Sequence, residues 1–307
     1  MQIGLTAILD TFAEAFRMRY TRLVVTADDD YWLEAALRAL AGYGTSVIGC
    51  DAEAGVERYL SRDDTPDGRP GAGVLLFAFS TEALAKAVPN RVGQCVMTCP
   101  TTACYNGLTV NGSADAVEII PLGKHLRFFG DGHQKSKRQA GRRYWRIPVM
   151  DGEFLVQEAF GVQKAIGGGN FLILATDQDA ALGAAAAAVD AIRQVRGVVL
   201  PFPGGIVRSG SKVGAKHYKK LIASTNDAYC PTLRGRTGVA SELPDGVNSV
   251  LEIVVDGLDR SAIEQALGVG IDAACCRGVV AITAGNYGGK LGKHHFHLHK
   301  VLAETSA

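Results

Sequence analysis

Residues 22–50 read RLVVTADDDYWLEAALRALAGYGTSVIGC and contain one complete strand–helix–strand unit. An apolar strand ends at a Thr/Asp cluster, which is typical of the start of a helix. The helix that follows places four apolar side chains on one stripe and stops at Gly42. Those four are Leu33, Ala36, Leu37 and Leu40. A second strand is predicted over TSVIGC, residues 45–50, which completes a β-α-β unit.

The same pattern occurs three more times along the chain. The copies are GVLLFAFSTEALAKAVPNRVGQCVMT (73–98), NFLILATDQDAALGAAAAAVDAIRQVRGVVLPF (170–202) and SVLEIVVDGLDRSAIEQALGVGIDAACCRGVVAITAG (249–285). Each has a strand, a Ser, Thr or Asp at the helix start, a helix and a strand. Two such units in succession make β-α-β-β-α-β, and right-handed crossovers place both helices on one face of an antiparallel sheet.

The sequence therefore predicts an α+β fold, a duplicated ferredoxin-like sandwich with two lobes. The first lobe is predicted to span residues 1–150 and the second residues 151–307. Residues 105–150 of the first lobe are expected to form an irregular arm. Two stretches of this region, KHLRFFGDG (124–132) and RRYWRIPVMDGEF (142–154), are predicted to form a strand pair or an arm.

Composition narrows the class of protein. A chain of 307 residues with 47% hydrophobic and 21% charged residues is typical of a soluble globular protein. The net charge of +1 argues against nucleic-acid binding, and the most apolar stretch, residues 180–192, carries Asp190 and predicts a packed helix rather than a membrane span. The first residues lack a signal-peptide pattern, and seven cysteines without a Cys-x-x-Cys pair indicate free thiols. We expect a cytoplasmic protein.

The chain ends near HHFHLHK, residues 294–300, where four of the seven histidines lie. In a β-strand His295, His297 and His299 would share one face, which could form a zinc or iron site. The other interpretation is that these histidines are strand or interface residues. Their spacing alone leaves both open.

Glycine-rich stretches follow the predicted strands. They are AIGGGN (165–170), FPGGIVRSGSKVGAK (202–216) and AGNYGGKLGK (284–293). None fits a phosphate-binding P-loop or dinucleotide motif. Backbone of this kind next to basic residues can bind anions, whereas tight turns are the equally open alternative. The recurring basic residues favour anion binding.

A second basic cluster lies in QKSKRQAGRRYWR, residues 134–146. Its charged members are Lys135, Lys137, Arg138, Arg142, Arg143 and Arg146. Such a segment could receive an acidic substrate tail or an acidic partner, or it could be a solvated loop.

One charged residue interrupts its own repeat. Aligning residues 73–79 with residues 249–255 places Glu252 opposite Leu76, in an otherwise apolar strand. Burial there would favour the neutral acid and raise the pKa of the carboxyl toward neutrality, which suits a general acid or base. A Glu on the exposed face of the sheet, or one paired with an Arg, is the alternative.

Seven motifs carry a resemblance to a known family. They are TPDGRPG (65–71), RVGQCVMTCPT (91–101), FFGDG (128–132), GGNF (168–171), PFPGGIVRSGSKVG (201–214), ASTNDAYCPT (223–232) and AGNYGGKLG (284–292). The chain closely resembles the formylmethanofuran:tetrahydromethanopterin formyltransferases over nearly its whole length. It departs from the family pattern at residues 106–146 and in an apparent insert at 233–241.

The resemblance implies an N-formyltransferase of one-carbon metabolism, built from two ferredoxin-like lobes. Members transfer a formyl group between N5 of tetrahydromethanopterin and the amine of methanofuran, by direct attack and without a bound metal or cofactor. The resemblance further implies a cytoplasmic homotetramer. Members from bacteria that oxidise one-carbon compounds associate with formylmethanofuran hydrolase subunits, and the near-neutral charge favours that bacterial type. A metal-dependent hydrolase and a non-catalytic scaffold subunit are the rival interpretations.

The resemblance also implies site residues. The family's carboxylate falls on Glu252, which we expect to protonate the leaving amine. Substrate binding is assigned to polar residues and glycines of the matching motifs. They are Gly168, Gly169, Asn170, Arg208, Ser209, Ser211, Lys212, Asn226, Tyr229, Asn286 and Lys290. No metal ligand is implied.

Overall fold

The computed structural model describes residues 1–108 and 118–305. The chain divides into two compact units. The central unit is Met18–Ala165, and the terminal unit combines Met1–Arg17 with Ile166–Ala307. No helix within the described ranges combines the length and apolar character that a membrane crossing needs.

The described residues contain seventeen strands and six α-helices. The strands are β1 (Gln2–Ile3), β2 (Thr6–Ile8), β3 (Phe12–Thr26), β4 (Glu53–Leu60), β5 (Gly71–Ala78), β6 (Ala103–Asn106), β7 (Glu118–Ile120), β8 (Lys135–Gln139), β9 (Arg142–Val149), β10 (Gly152–Gln157), β11 (Phe160–Ala175), β12 (Val198–Val199), β13 (Ser211–Val213), β14 (Ala223–Thr225), β15 (Ser249–Gly257), β16 (Val279–Thr283) and β17 (His294–His297). The helices are α1 (Asp30–Ala41), α2 (Thr81–Arg91), α3 (Leu122–Leu126), α4 (Gln178–Ile192), α5 (Arg260–Ala274) and α6 (Leu298–Thr305).

The central unit is a β-α-β-β-α-β arrangement. Its four strands lie in the order β4-β5-β3-β6, and each neighbouring pair is antiparallel. Helix α1 begins because the Asp29 side chain accepts a hydrogen bond from the Trp32 N–H at 3.0 Å. The predicted stripe on α1 is buried in the core of this unit, together with alternate residues of β3 and β5.

The terminal unit repeats this arrangement. Its strands lie in the order β12-β15-β11-β16, again with antiparallel neighbours. Asp177 and Asp259 cap α4 and α5, as the repeat pattern predicted. The two helices pack closely, since a Cβ on Gly270 would lie 2.6 Å from the Ile192 Cδ1. The alanine-rich α4 is therefore a packed helix.

The compact units differ from the lobes that the sequence predicted at residues 1–150 and 151–307. The first residues belong with the C-terminal half, because β2 pairs with β16 and the start of β3 pairs with β17. The arm belongs to the central unit through Ala165. Sequence periodicity could not show these pairings, since they join segments from opposite ends of the chain.

Three predicted strands are wrong. Residues 45–50 form turns, and β4 begins at Glu53. The segment after α2 continues as a π-helical turn, Val92–Val96, before β6. Residues 122–130 are helical, so only the second stretch of the predicted arm pairs, as β9 with β10. Short apolar runs fit a buried helical turn as well as a strand, and here burial of Val92 and Val96 decided the outcome.

Candidate active site

Glu252 lies in the middle of β15, on the sheet face opposite helices α4 and α5. Its neighbours Leu251 and Ile253 point to the helix core, so Glu252 points to the other face. Across the sheet it is level with Leu172 on β11, which is level with Thr283 on β16. These three side chains form a row on that face.

The backbone of Glu252 is fixed on both sides. Besides its pairing with β11, its N–H donates to the Val207 carbonyl at 2.9 Å and its carbonyl accepts from the Val207 N–H at 2.8 Å. The side chain is half-buried, as predicted. Burial raises the pKa of the Glu252 carboxyl to about 7. Near neutral pH this group can therefore hold a proton and release it.

The structure corrects the alignment that singled out Glu252. Val24 of β3 pairs with Gly73, whereas the equivalent Leu172 of β11 pairs with Glu252. Counting back from the helix caps Ser80 and Asp259 gives the same register. Gly73 is therefore the structural counterpart of Glu252, and the proposed match with Leu76 is wrong. Leu76 faces the helix core, where a carboxylate would be misplaced.

Tyr287 lies close enough to Glu252 to sense its charge. Burial raises the pKa of the Tyr287 hydroxyl, and the charges of Glu252 and Glu14 raise it further. Tyr287 belongs to the loop that leaves β16 shortly after Thr283. The phenol thus stays protonated and can donate a hydrogen bond at neutral pH.

Glu14 holds this loop, which we call the 285–292 loop. Its carboxylate accepts backbone N–H groups from Tyr287 at 2.7 Å, Gly289 at 3.0 Å and Leu291 at 2.6 Å, and also from Gly292. Glu14 is only 1% exposed. Burial by itself raises the pKa of Glu14, but the four N–H donors outweigh it and the pKa is lowered.

Two of the three asparagines assigned to substrate binding, Asn170 and Asn286, also hold this loop. The Asn170 Oδ1 accepts from the Gly285 N–H at 2.6 Å, and its Nδ2 donates to the carbonyls of Gly168 and Gly285. The Asn286 Nδ2 donates to Thr11 Oγ1 and to a backbone carbonyl of β3. The amide of Asn170 is therefore committed to the protein's own backbone, as is the donor group of Asn286.

The glycines of the loop are needed for its path. Gly288 and Gly289 have positive φ angles of 66° and 73°. A Cβ on Gly292 would lie 2.4 Å from the Ala15 carbonyl oxygen, so only glycine can approach β3 there. The N–H groups that the sequence offered to a substrate anion bind Glu14 instead. The side chain of Lys290 remains exposed for an anion.

Gly168 and Gly169, also assigned to substrate binding, lie at a bulge of β11. The register of the β11–β15 pairing shifts between Ile166 and Gly169. The Gly168 N–H donates to the Asp256 Oδ1 at 2.9 Å, and a Cβ on Gly169 would lie 2.7 Å from the Ile263 Cγ2. The bulge and the close approach to Ile263 thus account for the two glycines without a bound substrate.

The second glycine-rich segment forms the β13–β14 hairpin. Lys212 and Lys216 both form ion pairs with Asp227, which lies just beyond β14. Hydrogen bonds from the two ammonium groups lower the pKa of Asp227 to about 2. Asp227 therefore partly neutralises the charge of the predicted binding residue Lys212. The sequence did not indicate this ion pair.

The remaining predicted residues of this segment differ in exposure. Arg208, Ser209 and Ser211 are exposed, whereas Asn226 and Tyr229 are half-buried. Tyr229 packs against the cluster that contains Leu172, so it lies on the same sheet face as Glu252. Its hydroxyl donates to Glu242 at 2.5 Å, and burial together with that carboxylate raises the pKa of Tyr229 to about 12.

The terminal histidines do not share one strand. His295 and His297 lie on β17, with ring centroids 4.9 and 5.3 Å from the ring of Phe12. His299 lies in α6, and its Nε2 is 2.8 Å from the Ile8 carbonyl oxygen. Among residues 1–108 and 118–305, no three His, Cys, Asp or Glu side chains are grouped to hold a metal ion.

The basic cluster forms the β8–β9 hairpin of the central unit. All of β8 is exposed, and it is an edge strand that pairs with β9. Arg143 and Arg146 form ion pairs with Glu158 and Glu153. The other four basic side chains are exposed, namely those of Lys135, Lys137, Arg138 and Arg142.

Two family models match the chain. Residues 1–149 match formylmethanofuran-tetrahydromethanopterin formyltransferase, and residues 152–301 match the proximal lobe of the same family. Together they cover nearly the whole chain. The chain therefore belongs to the formylmethanofuran-tetrahydromethanopterin formyltransferase family, which confirms the resemblance read from the sequence.

Individual relatives agree over their full lengths. The chain is 56% identical to the formylmethanofuran–tetrahydromethanopterin formyltransferase of Methylococcus capsulatus, over 96% of this chain and 97% of that one. The Methanosarcina barkeri enzyme superposes with a TM-score of 0.90 at 46% identity, covering 98% of this chain and 100% of that one. A chain of the Methylorubrum extorquens formyltransferase/hydrolase complex, solved with methylofuran, gives a TM-score of 0.90 at 48% identity, with 96% coverage of both.

Proposed function

We propose that this chain transfers a formyl group between N5 of tetrahydromethanopterin and the amine of methanofuran, with Glu252 as the catalytic acid. The single observation that carries the role of Glu252 is its half-buried position with a pKa of about 7. The names of its full-length relatives support the activity.

The reaction is a direct transfer between two amines. The neutral acceptor nitrogen attacks the formyl carbon and forms a tetrahedral intermediate. The bond to the donor nitrogen then breaks as Glu252 gives that nitrogen its proton, and the acceptor nitrogen loses the proton that restores the acid. Holding both carriers together supplies the rate advantage of proximity, so no acyl-enzyme is needed.

Exposed donors near the predicted motifs bind the carriers. The side chains of Arg208, Ser209, Ser211 and Lys290 are free to reach acidic groups on either carrier. Tyr229 and Asn226 form the edge of this surface. Asn170, Asn286 and the adjacent glycines shape the backbone that supports the site. Lys212 also contributes to binding, although its ion pair with Asp227 offsets part of its charge.

Both units are ferredoxin-like sandwiches, and the fold is duplicated. The two identical strand orders and the paired helices support this topology. The two family models, whose matches end at residue 149 and begin at residue 152, support a division into functional lobes near residue 150, apart from the compact units.

The protein acts in the cytoplasm as a homotetramer and needs no permanently bound cofactor. Its similarity to a chain of the Methylorubrum extorquens complex supports formylmethanofuran hydrolase subunits as partners and a role in methylotrophy. Transfer then runs from formyl-tetrahydromethanopterin to methanofuran, and the hydrolase releases formate. Purification from the native host in mild salt should recover the hydrolase with this chain. Recovery of the homo-oligomer alone, without formate release, would contradict the complex.

The activity is tested with the purified chain and both carriers. Formyl transfer should change the pterin absorbance and should depend on each carrier. Neither a chelator nor dialysis should reduce the rate. A preparation that is folded but transfers no formyl group in either direction would overturn the proposed function.

A further inference from the structure

Glu14 is a buried carboxylate that takes no part in the transfer steps proposed above. It lies on β3 in the stretch Phe12–Phe16, whose other members are apolar. Each of its oxygens accepts two backbone N–H groups: Oε2 from Tyr287 and Gly289, and Oε1 from Leu291 and Gly292. An ionised carboxylate has about four acceptor sites, so this carboxylate is saturated.

A saturated carboxylate cannot act as an acid or a base itself. Protonation would direct an O–H group at backbone N–H donors, which agrees with the lowered pKa of Glu14. A buried charge of this kind is costly unless it is fully hydrogen-bonded. Any effect of Glu14 on chemistry must therefore act through the 285–292 loop that it holds.

The loop starts beside the row that contains Glu252. Thr283, at the end of β16, is level with Glu252 across the intervening β11. Strands lie about 4.8 Å apart, so these two positions are roughly 10 Å apart, and the loop begins two residues after Thr283. The electrostatic influence of Glu252 on the Tyr287 hydroxyl agrees with this placement.

We propose that Glu14 is a positioning residue that holds the Tyr287 hydroxyl beside Glu252, where it donates a hydrogen bond to the formyl oxygen in the tetrahedral intermediate. This inference rests on the proposed formyl transfer. Tyr287 keeps its proton throughout, and no bond to it forms or breaks. The two glutamates thus have different roles. Glu252 exchanges a proton, whereas Glu14 stays ionised and fixes the Tyr287 hydroxyl.

Tyr287→Phe removes the donor and leaves the backbone contacts of Glu14 in place. We expect kcat to fall about 10²-fold, the loss typical of an oxyanion donor, with KM nearly unchanged. Glu14→Gln preserves the shape of the side chain but turns an NH₂ group toward two backbone N–H donors. It should lower kcat by about 10-fold, since the donor is displaced rather than removed.

The Glu14→Gln/Tyr287→Phe double variant distinguishes a positioning role of Glu14 from a role in stability alone. If Glu14 acts through Tyr287, the double variant should have the kcat of Tyr287→Phe alone. Glu57→Gln is the matched control, because Glu57 is a buried hydrogen-bonded carboxylate of the central unit. That variant should keep kcat, so the Glu57→Gln/Tyr287→Phe double variant should have the kcat of Tyr287→Phe.

Two kinetic outcomes would overturn the inference: Tyr287→Phe within about twofold of the wild-type kcat, or multiplicative losses in the Glu14/Tyr287 double variant. Hydrogen exchange supplies a readout without substrate. The loop amides that bind Glu14 should be protected in the wild type and exchange faster in Glu14→Gln, and equal protection would also contradict the clamp. Wild-type protein with protected amides but no formyl transfer would refute the proposed function and leave the clamp standing.

Discussion

The two units place a glutamate on the same face of equivalent sheets, yet the two carboxylates differ in their partners. In the central unit Glu57 lies against Gly73, and Arg22 donates to both of its oxygens, at 2.7 and 2.8 Å. In the terminal unit the counterpart of Gly73 is Glu252, and burial is the cause of its shifted pKa. The ion pair makes the Glu57 carboxylate structural. Glu252 has no ion pair among residues 1–108 and 118–305, which makes it suitable for proton transfer.

The two units therefore share a strand order but not the surroundings of the carboxylate. Gly73 leaves room for the Glu57–Arg22 pair, whereas the same register position in the terminal unit carries Glu252. The environment of a carboxylate, rather than its place in the topology, determines its chemistry. The following predictions test or sharpen this contrast.

The largest difference is expected between Glu252→Gln and Glu57→Gln. Loss of a general acid should lower turnover roughly 10²–10⁴-fold in Glu252→Gln while the fold stays intact. Glu57→Gln should lower the free energy of unfolding and keep turnover. Circular dichroism and steady-state formyl transfer measure both properties. Turnover of Glu252→Gln within a few-fold of the wild type would remove Glu252 from the mechanism.

The pH dependence should be the next largest effect. The pKa of Glu252 is raised from 4.5 to about 7, so the proton needed by the leaving amine is present below that value. Transfer that depends on this acid should fall about tenfold for each pH unit above 7. A rate that is flat from pH 6 to 9 would show that Glu252 does not supply the proton.

The same shift predicts a stability effect with a definite sign. The folded state binds this proton more tightly than the unfolded state, so wild-type stability declines as the pH rises from about 4.5 to about 7. Glu252→Gln lacks this titration. Its free energy of unfolding should therefore improve relative to the wild type across that window and stay level above it, as urea denaturation can measure.

Removal of Arg22 should make the central unit resemble the terminal unit. Arg22→Met leaves Glu57 buried without its cation, at a cost of about 3 kcal/mol at pH 7. Arg22→Lys keeps a positive charge beside Glu57, so it should lose less stability than Arg22→Met in urea denaturation. Equal losses in the two variants would show that the pair contributes packing rather than charge.

The smallest effect is expected in the β8–β9 hairpin. Replacement of Lys137, Arg138 and Arg142 with Ser should raise the methanofuran KM several-fold or release an acidic partner, with an effect that shrinks at high salt. Replacement of Arg143 also breaks its ion pair with Glu158, so that variant serves as a separate comparison. An unchanged KM and partner at low salt would make the hairpin a solvated surface.

Sequence reasoning succeeded where local rules act alone. Helix caps at Asp29, Ser80, Asp177 and Asp259 follow from hydrogen bonds within one turn, and the repeat revealed them. It failed for residues 45–50, where a short apolar run has no unique periodicity.

The support of the site depended on long-range contacts. Glu14 and the loop it binds are separated by more than half the chain, and no local pattern joins them. The only indication was a charged residue inside an apolar strand, the same kind of irregularity that identified Glu252. The glycines of the loop were interpreted as an anion site for a substrate, whereas in the structure the loop N–H groups bind the Glu14 carboxylate.

Direct titration of the Glu252 carboxyl tests the central claim most closely. Infrared difference spectra of the wild type between pH 5 and 9 should show one carboxyl that loses its proton near pH 7. This signal should be absent from Glu252→Gln and present in Glu57→Gln. A wild-type protein in which Glu252 is already ionised at pH 5 would contradict its assignment as the catalytic acid.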